Sequence, residues 1–354
     1  MITAAQRRTA AAPPPPVAIY LLWATLAVYA VTLSFGYVFD DHLVLPRIAQ
    51  YHWWQFFLGV DRRPLTLWSY ELAQSTAVQH AINIGLHLAN GALFYDLLRR
   101  WSAPPAAALV ALAVFLLHPL QVETVAYVSG RADLLIALGF LIAVLGISPR
   151  VCTTFYGVTS SAPPSWKLVL LGVGILLAAK PSGVFALLPV LLLSLHVWPR
   201  PRWSLLRATL AIGFGGITGI LIGNYLLIRG VLDLYGWDWQ SRVAMQLAGV
   251  VRWLMLIVLP MGLTADHNLQ ATSTLIVQYV VPVVVLLVIM SWRWLPQSRL
   301  LWIWLAVTLG WRVLLPSSEW LSEGDGYLPM LGVAVAIGVV IDSVWSGAHN
   351  ADPL

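Results

Sequence analysis

Apolar runs of about 20 residues recur along the chain between short polar turns, the length that carries a helix across roughly 30 Å of hydrocarbon. The runs predict spans at 17–35, 77–98, 105–122, 132–148, 167–179, 182–198, 208–228, 275–292, 300–315 and 327–345. The weak alternation of a barrel strand is absent. An unpaired backbone amide is costly in lipid, so each run is expected to be helical. The predicted fold is all-α and polytopic, with about ten or eleven transmembrane helices.

Segment 243–263 is the ambiguous one. If it crosses, the basic turn Trp292-Arg293-Trp294 to Arg299 falls outside; if it lies in the interface or dips in and returns, that turn is cytoplasmic. The positive-inside rule favours the second arrangement. The inner side then carries Arg7, Arg8, Arg99, Arg100, Arg150, Lys167, Arg200, Arg202, Arg207, Arg293 and Arg299 against only Asp96, Asp342 and Asp352. The rest of the 15 acids fall on the outer side, several at the ends of apolar helices, where an ionisable residue marks a functional site by default. The expected organisation is a cytoplasmic tail over 1–16, a membrane module over 17–345 with outer segments at 36–76 and 229–274, and a tail over 346–354.

Composition agrees with the pattern. The chain is 59% hydrophobic and 10% charged, with a mean hydropathy of +0.80, whereas a soluble domain is about one quarter charged. The net charge of +5 is not gathered into a basic face, which excludes nucleic acid as a partner. Cys152 is the single cysteine, so no intrachain disulfide forms. The run 17–35 is longer than a signal-peptide core, lacks a clear cleavage site and reads as a retained anchor.

Candidate chemistry sits where helices leave the membrane. The first outer loop holds the adjacent carboxylates Asp40 and Asp41 beside His42. Neighbouring like charges raise each other's pKa, which suits a proton acceptor or a cation site. Further on, His118-Pro-Leu-Gln-Val-Glu123 closes one span and Tyr127-Val-Ser-Gly-Arg131-Ala-Asp133 opens the next, so Glu123, Arg131 and Asp133 are expected to face one cavity. Arg131 either binds a phosphate, which its guanidinium fork matches, or pairs with Asp133. His80, Asn83, His87 and Asn90 fall on one helical stripe, read as interhelical hydrogen bonding rather than a metal site. Segment 51–60 resembles an amphipathic interfacial helix, and most tryptophans read as interfacial belt residues.

These pieces, in this order, resemble the TMTC-type O-mannosyltransferases and their bacterial relatives, membrane glycosyltransferases of the GT-C fold. The matching residues are Tyr37-Val-Phe-Asp40-Asp41, Arg63-Pro64-Leu65-Thr66, the His80 to Asn90 stripe, and above all HPLQVETVAYVSGRADLL from His118 to Leu135. Ala179-Lys180-Pro-Ser-Gly183, Leu259 to Asp266-His267 and Glu323-Gly-Asp-Gly-Tyr327 follow. Two positions depart from the family pattern: Glu323 is followed by Gly324 and Asp325 rather than an arginine and tyrosine, and Lys180 by Pro181 rather than an acid. The family's tetratricopeptide array is not found after the last predicted span, which leaves acceptor selection to a partner or to a different acceptor.

The resemblance implies a polyprenyl-phosphate-sugar donor, typically a mannose carrier, and inverting transfer to a hydroxyl on the periplasmic or lumenal face of a bacterial inner membrane or ER membrane. Asp41 or Asp40 would be the base. Arg131, then Lys180 and Arg63, would face the lipid phosphate. Glu123, Asp133, His118, Asp266, Glu323 and Tyr327 would position sugar or acceptor, which is a protein Ser/Thr, a lipid or a glycan. No cofactor is implied; a divalent cation on Asp40, Asp41 and Glu123 is the open alternative. The rivals from other classes are a secondary transporter or channel, and a non-catalytic scaffold. A transporter places its coupling residues near the midplane on paired repeats, whereas these charges lie at helix ends and no internal repeat is visible.

Overall fold

A computed structural model describes residues 16–48, 50, 52–56, 63–73, 75–148, 165–197, 239–263, 281–294, 298–314 and 322–350, with isolated positions between 211 and 223. The described residues are helical or irregular, with no strand among them. The helices are α1 (Pro16–Tyr29), α2 (Asp41–Ile48), α3 (Pro64–Glu71), α4 (Thr76–Arg100), α5 (Pro105–Leu117), α6 (Val122–Ala126) and α7 (Arg131–Ile147). They continue as α8 (Trp166–Ala179), α9 (Leu187–Val197), α10 (Trp239–Val258), α11 (Val281–Trp294), α12 (Ser298–Leu314) and α13 (Tyr327–Asn350). Single-turn 3-10 segments at Pro119–Gln121, Val128–Gly130, Pro181–Ala186 and Glu323–Gly326 join several of them.

Among the described residues, three helical stretches are long and apolar enough to cross a membrane: Pro16–Ser34, Val128–Ile147 and Glu323–Trp345. Pro105–Leu117 with Pro119–Ala126, bent by 47°, is a fourth if the pair is one span. The expected ten or eleven spans are therefore only partly represented. At 1.5 Å per residue, the 14 residues of α8 rise about 21 Å, short of the hydrocarbon thickness. α4 is 25 residues long, but its buried Gln79, His80, Asn83, His87 and Asn90 lower its hydropathy. The predicted spans 208–228 and 275–292 lie wholly or partly outside the described residues. Segment 243–263 is helical to Val258 and then turns at Gly262, where φ is +68°.

The core is centred on α7. Of the Val128–Ile147 span 83% is buried, against 22% of Pro16–Ser34 and 33% of Glu323–Trp345. Glycine makes this burial possible: a Cβ on Gly139 would stand 2.6 Å from the Gly172 carbonyl, and one on Gly172 would strike the Gly139 carbonyl. Backbone meets backbone between α7 and α8, the small-residue packing of membrane helices. Outer helices keep apolar side chains exposed, among them Tyr20, Trp23 and Val31 on the first span and Val340, Val344 and Trp345 on α13, a surface suited to lipid.

Contacts gather the polar helix ends at one end of the bundle. Phe35 meets His80 edge-on, Thr66 Oγ1 donates to the Ala179 carbonyl, and His118 Nε2 donates to the Ile257 carbonyl. At the far end, Arg100 binds Asp96 at 2.7 Å and donates to the carbonyls of Leu145 and Ser148. That arginine also sits where the negative end of the α4 dipole favours a cation.

Candidate active site

Asp40 and Asp41 occupy different surroundings although they are neighbours. The chain enters the pair through Phe39, whose φ of +47° is a left-handed conformation that a bulky side chain rarely adopts. Asp40 is exposed, and its backbone N–H donates to Tyr127 Oη at 3.1 Å. Asp41 is fully buried. Its Oδ1 accepts the N–H of Ser129 at 3.0 Å and the Ser129 hydroxyl at 2.6 Å, and its Oδ2 accepts the N–H of Val38 at 3.3 Å. Burial, reinforced by the charge of Asp40, pushes the Tyr127 hydroxyl up to about 12, so it remains a neutral hydroxyl at physiological pH.

Arg131, expected to face a lipid phosphate, has its guanidinium turned into the protein. It is fully buried. Nε donates to Asn83 Oδ1 at 2.8 Å, Nη1 to the Ser69 carbonyl at 2.9 Å and Ser69 Oγ at 3.3 Å, and Nη2 to the Gln79 carbonyl at 2.9 Å. The guanidinium also lies over the Tyr70 ring, 4.7 Å from its centroid, a favourable cation–π position. Arginine has five N–H donors and no acceptor, and here protein oxygens take that fork. The residue clamps α7 to α3 and α4, and Asp133 pairs with Lys180 instead.

His118 and Tyr327 are likewise held by the protein's own groups. His118 accepts the Leu120 N–H on Nδ1 while Nε2 donates to Ile257, so both ring nitrogens are used. Tyr327 is fully buried between His87 Nδ1, at 2.7 Å, and Asn90 Nδ2, at 3.2 Å. Three members of the polar stripe on α4 make the interhelical bonds expected of it, Asn83 donating to the carbonyl of Tyr127 at 2.9 Å and Asn90 to that of Leu134 at 3.0 Å, whereas His80 meets Phe35 edge-on instead.

A second charged group lies between α7, α12 and α13. Lys180 Nζ stands 3.3 Å from both carboxylate oxygens of Asp133, and Arg312 pairs with Asp325. Burial works against the Lys180 ammonium, but the charges of Asp133 and Asp325 outweigh it and hold it above the ordinary lysine range. Both acids line a cleft of about 380 Å³, counting space open to solvent, walled by Ile136, Phe185, Trp311, Leu328 and Pro329. Glu123 Oε2 accepts the Gly324 N–H at 3.0 Å, joining the central motif to the Glu323–Gly326 turn. Glu323 is 5% exposed. Arg63, half-buried before α3, is near enough to Tyr70 for its charge to be felt there. Asp266 lies outside the described residues. Asp40, Asp41 and Glu123 do not converge: among the described residues no three His, Cys, Asp or Glu side chains gather to hold a metal ion.

Sequence reasoning passed over Ser129, Tyr127 as a partner of Asp40, and the Arg312–Asp325 pair. Their signals were present: Tyr127 and Ser129 stand inside the most specific motif, and Arg312 is a charge at the end of an apolar helix.

Helices long and apolar enough to span a bilayer, with this polar end, mark a helical membrane protein, and part of its sequence is similar to named transferases. It is 40% identical over 80 residues to protein O-mannosyl-transferase TMTC4 of Homo sapiens, covering 19% of this chain and 11% of that protein. To the Mus musculus protein of the same name it is 31% identical over 122 residues, covering 30% of this chain and 16% of the relative. The matches thus span less than a fifth of these relatives' length. No family model matches the chain, and no solved structure matches it.

Proposed function

We propose that this chain is a GT-C-type membrane glycosyltransferase that moves a sugar, mannose first among the candidates, from a polyprenyl-phosphate carrier to an acceptor hydroxyl. The acceptor class favoured by the partial similarity to O-mannosyl-transferases is protein serine or threonine. The observation that carries the reading is the exposed carboxylate of Asp40, held on a strained corner at the polar end of a membrane helix bundle.

The chemistry is a single inverting displacement. Asp40 takes the acceptor's proton as the hydroxyl oxygen bonds to the anomeric carbon, and the bond from that carbon to the phosphate oxygen breaks with its electron pair leaving on the phosphate. Asp41 positions Asp40 rather than touching substrate. Lys180 and Arg63 supply positive charge to the departing phosphate, the preorganised electrostatic element such a step needs. Glu123, Glu323, Asp133 and the donors paired with them offer hydrogen bonds to sugar hydroxyls. A lipid-linked donor keeps its headgroup at the membrane surface, which is where these helices end.

The test is transfer of radiolabelled mannose from polyprenyl-phosphate-mannose by purified protein in lipid. Wild type is expected to form product and Asp40→Asn to lose at least about a hundredfold, the size of a removed general base. A folded wild type that releases no lipid phosphate with mannose, glucose or galactose donors would sink the reading.

A further inference from the structure

We infer that Ser129 and Tyr127 are positioning residues for the Asp40 carboxylate, an inference that rests on the transfer chemistry proposed above. Asp40 is exposed, so the point from which its side chain projects is set by the peptide groups on either side of it. Both are held from one short turn. Tyr127, just before Val128–Gly130, takes the Asp40 N–H on Oη at 3.1 Å, and its ring meets that of Phe39 edge-on at 6.4 Å. Ser129, within the turn, gives Asp41 Oδ1 both its N–H and its hydroxyl. The other oxygen of Asp41 reaches back to the N–H of Val38, which closes the corner from Val38 to Asp41.

The turn itself has little freedom. Asn83 Nδ2 holds the carbonyl of Tyr127, and a Cβ on Gly130 would stand 2.5 Å from the Thr124 carbonyl, so only glycine fits there. A rigid turn on one side and a left-handed Phe39 on the other leave Asp40 between two fixed points. Asp41 is the intermediary: buried, it reaches no substrate, but it converts the placement of Ser129 into the placement of its neighbour. Misplacing a reacting group by about 1 Å costs on the order of a hundredfold in rate, so loss of either clasp should appear in turnover rather than in substrate affinity.

The experiment measures kcat and both KM values for the full chain in lipid nanodiscs, with polyprenyl-phosphate-mannose and a Ser/Thr peptide, in wild type, Ser129→Ala, Ser129→Thr and Tyr127→Phe. Ser129→Ala is expected to lower kcat by about a hundredfold with little change in either KM. Ser129→Thr, which keeps the hydroxyl, should recover most of the rate. In single turnover on an Asp40→Asn background, Ser129→Ala should remove nothing further, because the group it positions is gone. Wild-type kcat in both Ser129→Ala and Tyr127→Phe, or the same loss with and without Asp40, overturns the inference.

Carbodiimide coupling to glycine ethyl ester, read by peptide mass spectrometry, supplies a measurement independent of activity. Wild type should label Asp40 and spare Asp41, and Ser129→Ala should unmask Asp41 and change the rate at Asp40. If no donor gives transfer, the functional reading fails and this labelling alone decides the positioning: unchanged labelling in Ser129→Ala overturns it, and unmasking of Asp41 sustains it.

Discussion

Arg131 Nε donates to Asn83 Oδ1 at 2.8 Å, and the Nδ2 of the same asparagine donates to the Tyr127 carbonyl at 2.9 Å. One side chain on α4 thus fixes both the start of α7 and the turn that faces Asp40.

Replacing Arg131 therefore acts on stability. Arg131→Met leaves the Ser69 and Gln79 carbonyls and the Asn83 amide oxygen without their donors, and hydrogen bonds to a charged group are worth about 1.5–3 kcal/mol each. Arg131→Lys keeps the charge but not the fork and should recover only part of the loss. Thermal unfolding followed by tryptophan fluorescence checks this; a melting temperature equal to wild type for Arg131→Met would show that the clamp carries no weight.

The close approach of α7 and α8 makes Gly139→Ala a second stability test. The added methyl would stand 2.6 Å from a carbonyl oxygen, and overpacking of this kind costs about 1–3 kcal/mol. Gly174, on α8, meets nothing within 4 Å and should accept alanine. Parallel melting curves of the two variants separate packing from the general effect of removing glycine.

The Lys180–Asp133 pair should show coupling. The two side chains are 27% and 20% exposed, so breaking the pair with Lys180→Met should cost less than the 3–5 kcal/mol of a fully buried bridge, about 1–2 kcal/mol after solvent screening. Asp133→Asn added to Lys180→Met should give back part of that loss. A double-mutant cycle reads the interaction, and strictly additive effects would mean that the two charges do not support each other.

Alkaline pH should weaken the fold through Tyr127. Burial and the charge of Asp40 raise its hydroxyl from 10.0 to about 12. The unfolded chain therefore loses this proton first, and the stabilisation is complete below pH 10 and disappears as pH rises through about 12. Tyr127→Phe should flatten the decline of melting temperature over that window; an unchanged slope would assign the alkaline loss to other groups.

Much of this was legible from residue order alone, and the remainder depended on separations that a sequence does not display. The stripe His80 to Asn90 announces a polar helix face, and it forms one. The Asp40–Asp41 pair and the segment His118 to Leu135 announce the polar end, and they meet there. Arg131 shows the limit, because an arginine at a helix start reads the same whether its fork meets a phosphate or the oxygens of three other residues. Those oxygens come from Ser69, Gln79 and Asn83, more than 45 residues away. The different surroundings of Asp40 and Asp41 were equally hidden, since the burial of Asp41 depends on Ser129, 88 positions away.

The left-handed Phe39 has an evolutionary side. An L-residue in that region carries roughly 1–2 kcal/mol of strain that glycine would not, so Phe39→Gly is an accessible route to a more stable protein. It would also let the corner swing, and under the proposed chemistry a swinging Asp40 would be a poorer base. At Phe39 stability and rate then pull in opposite directions, and a variant that melts later would be expected to turn over more slowly.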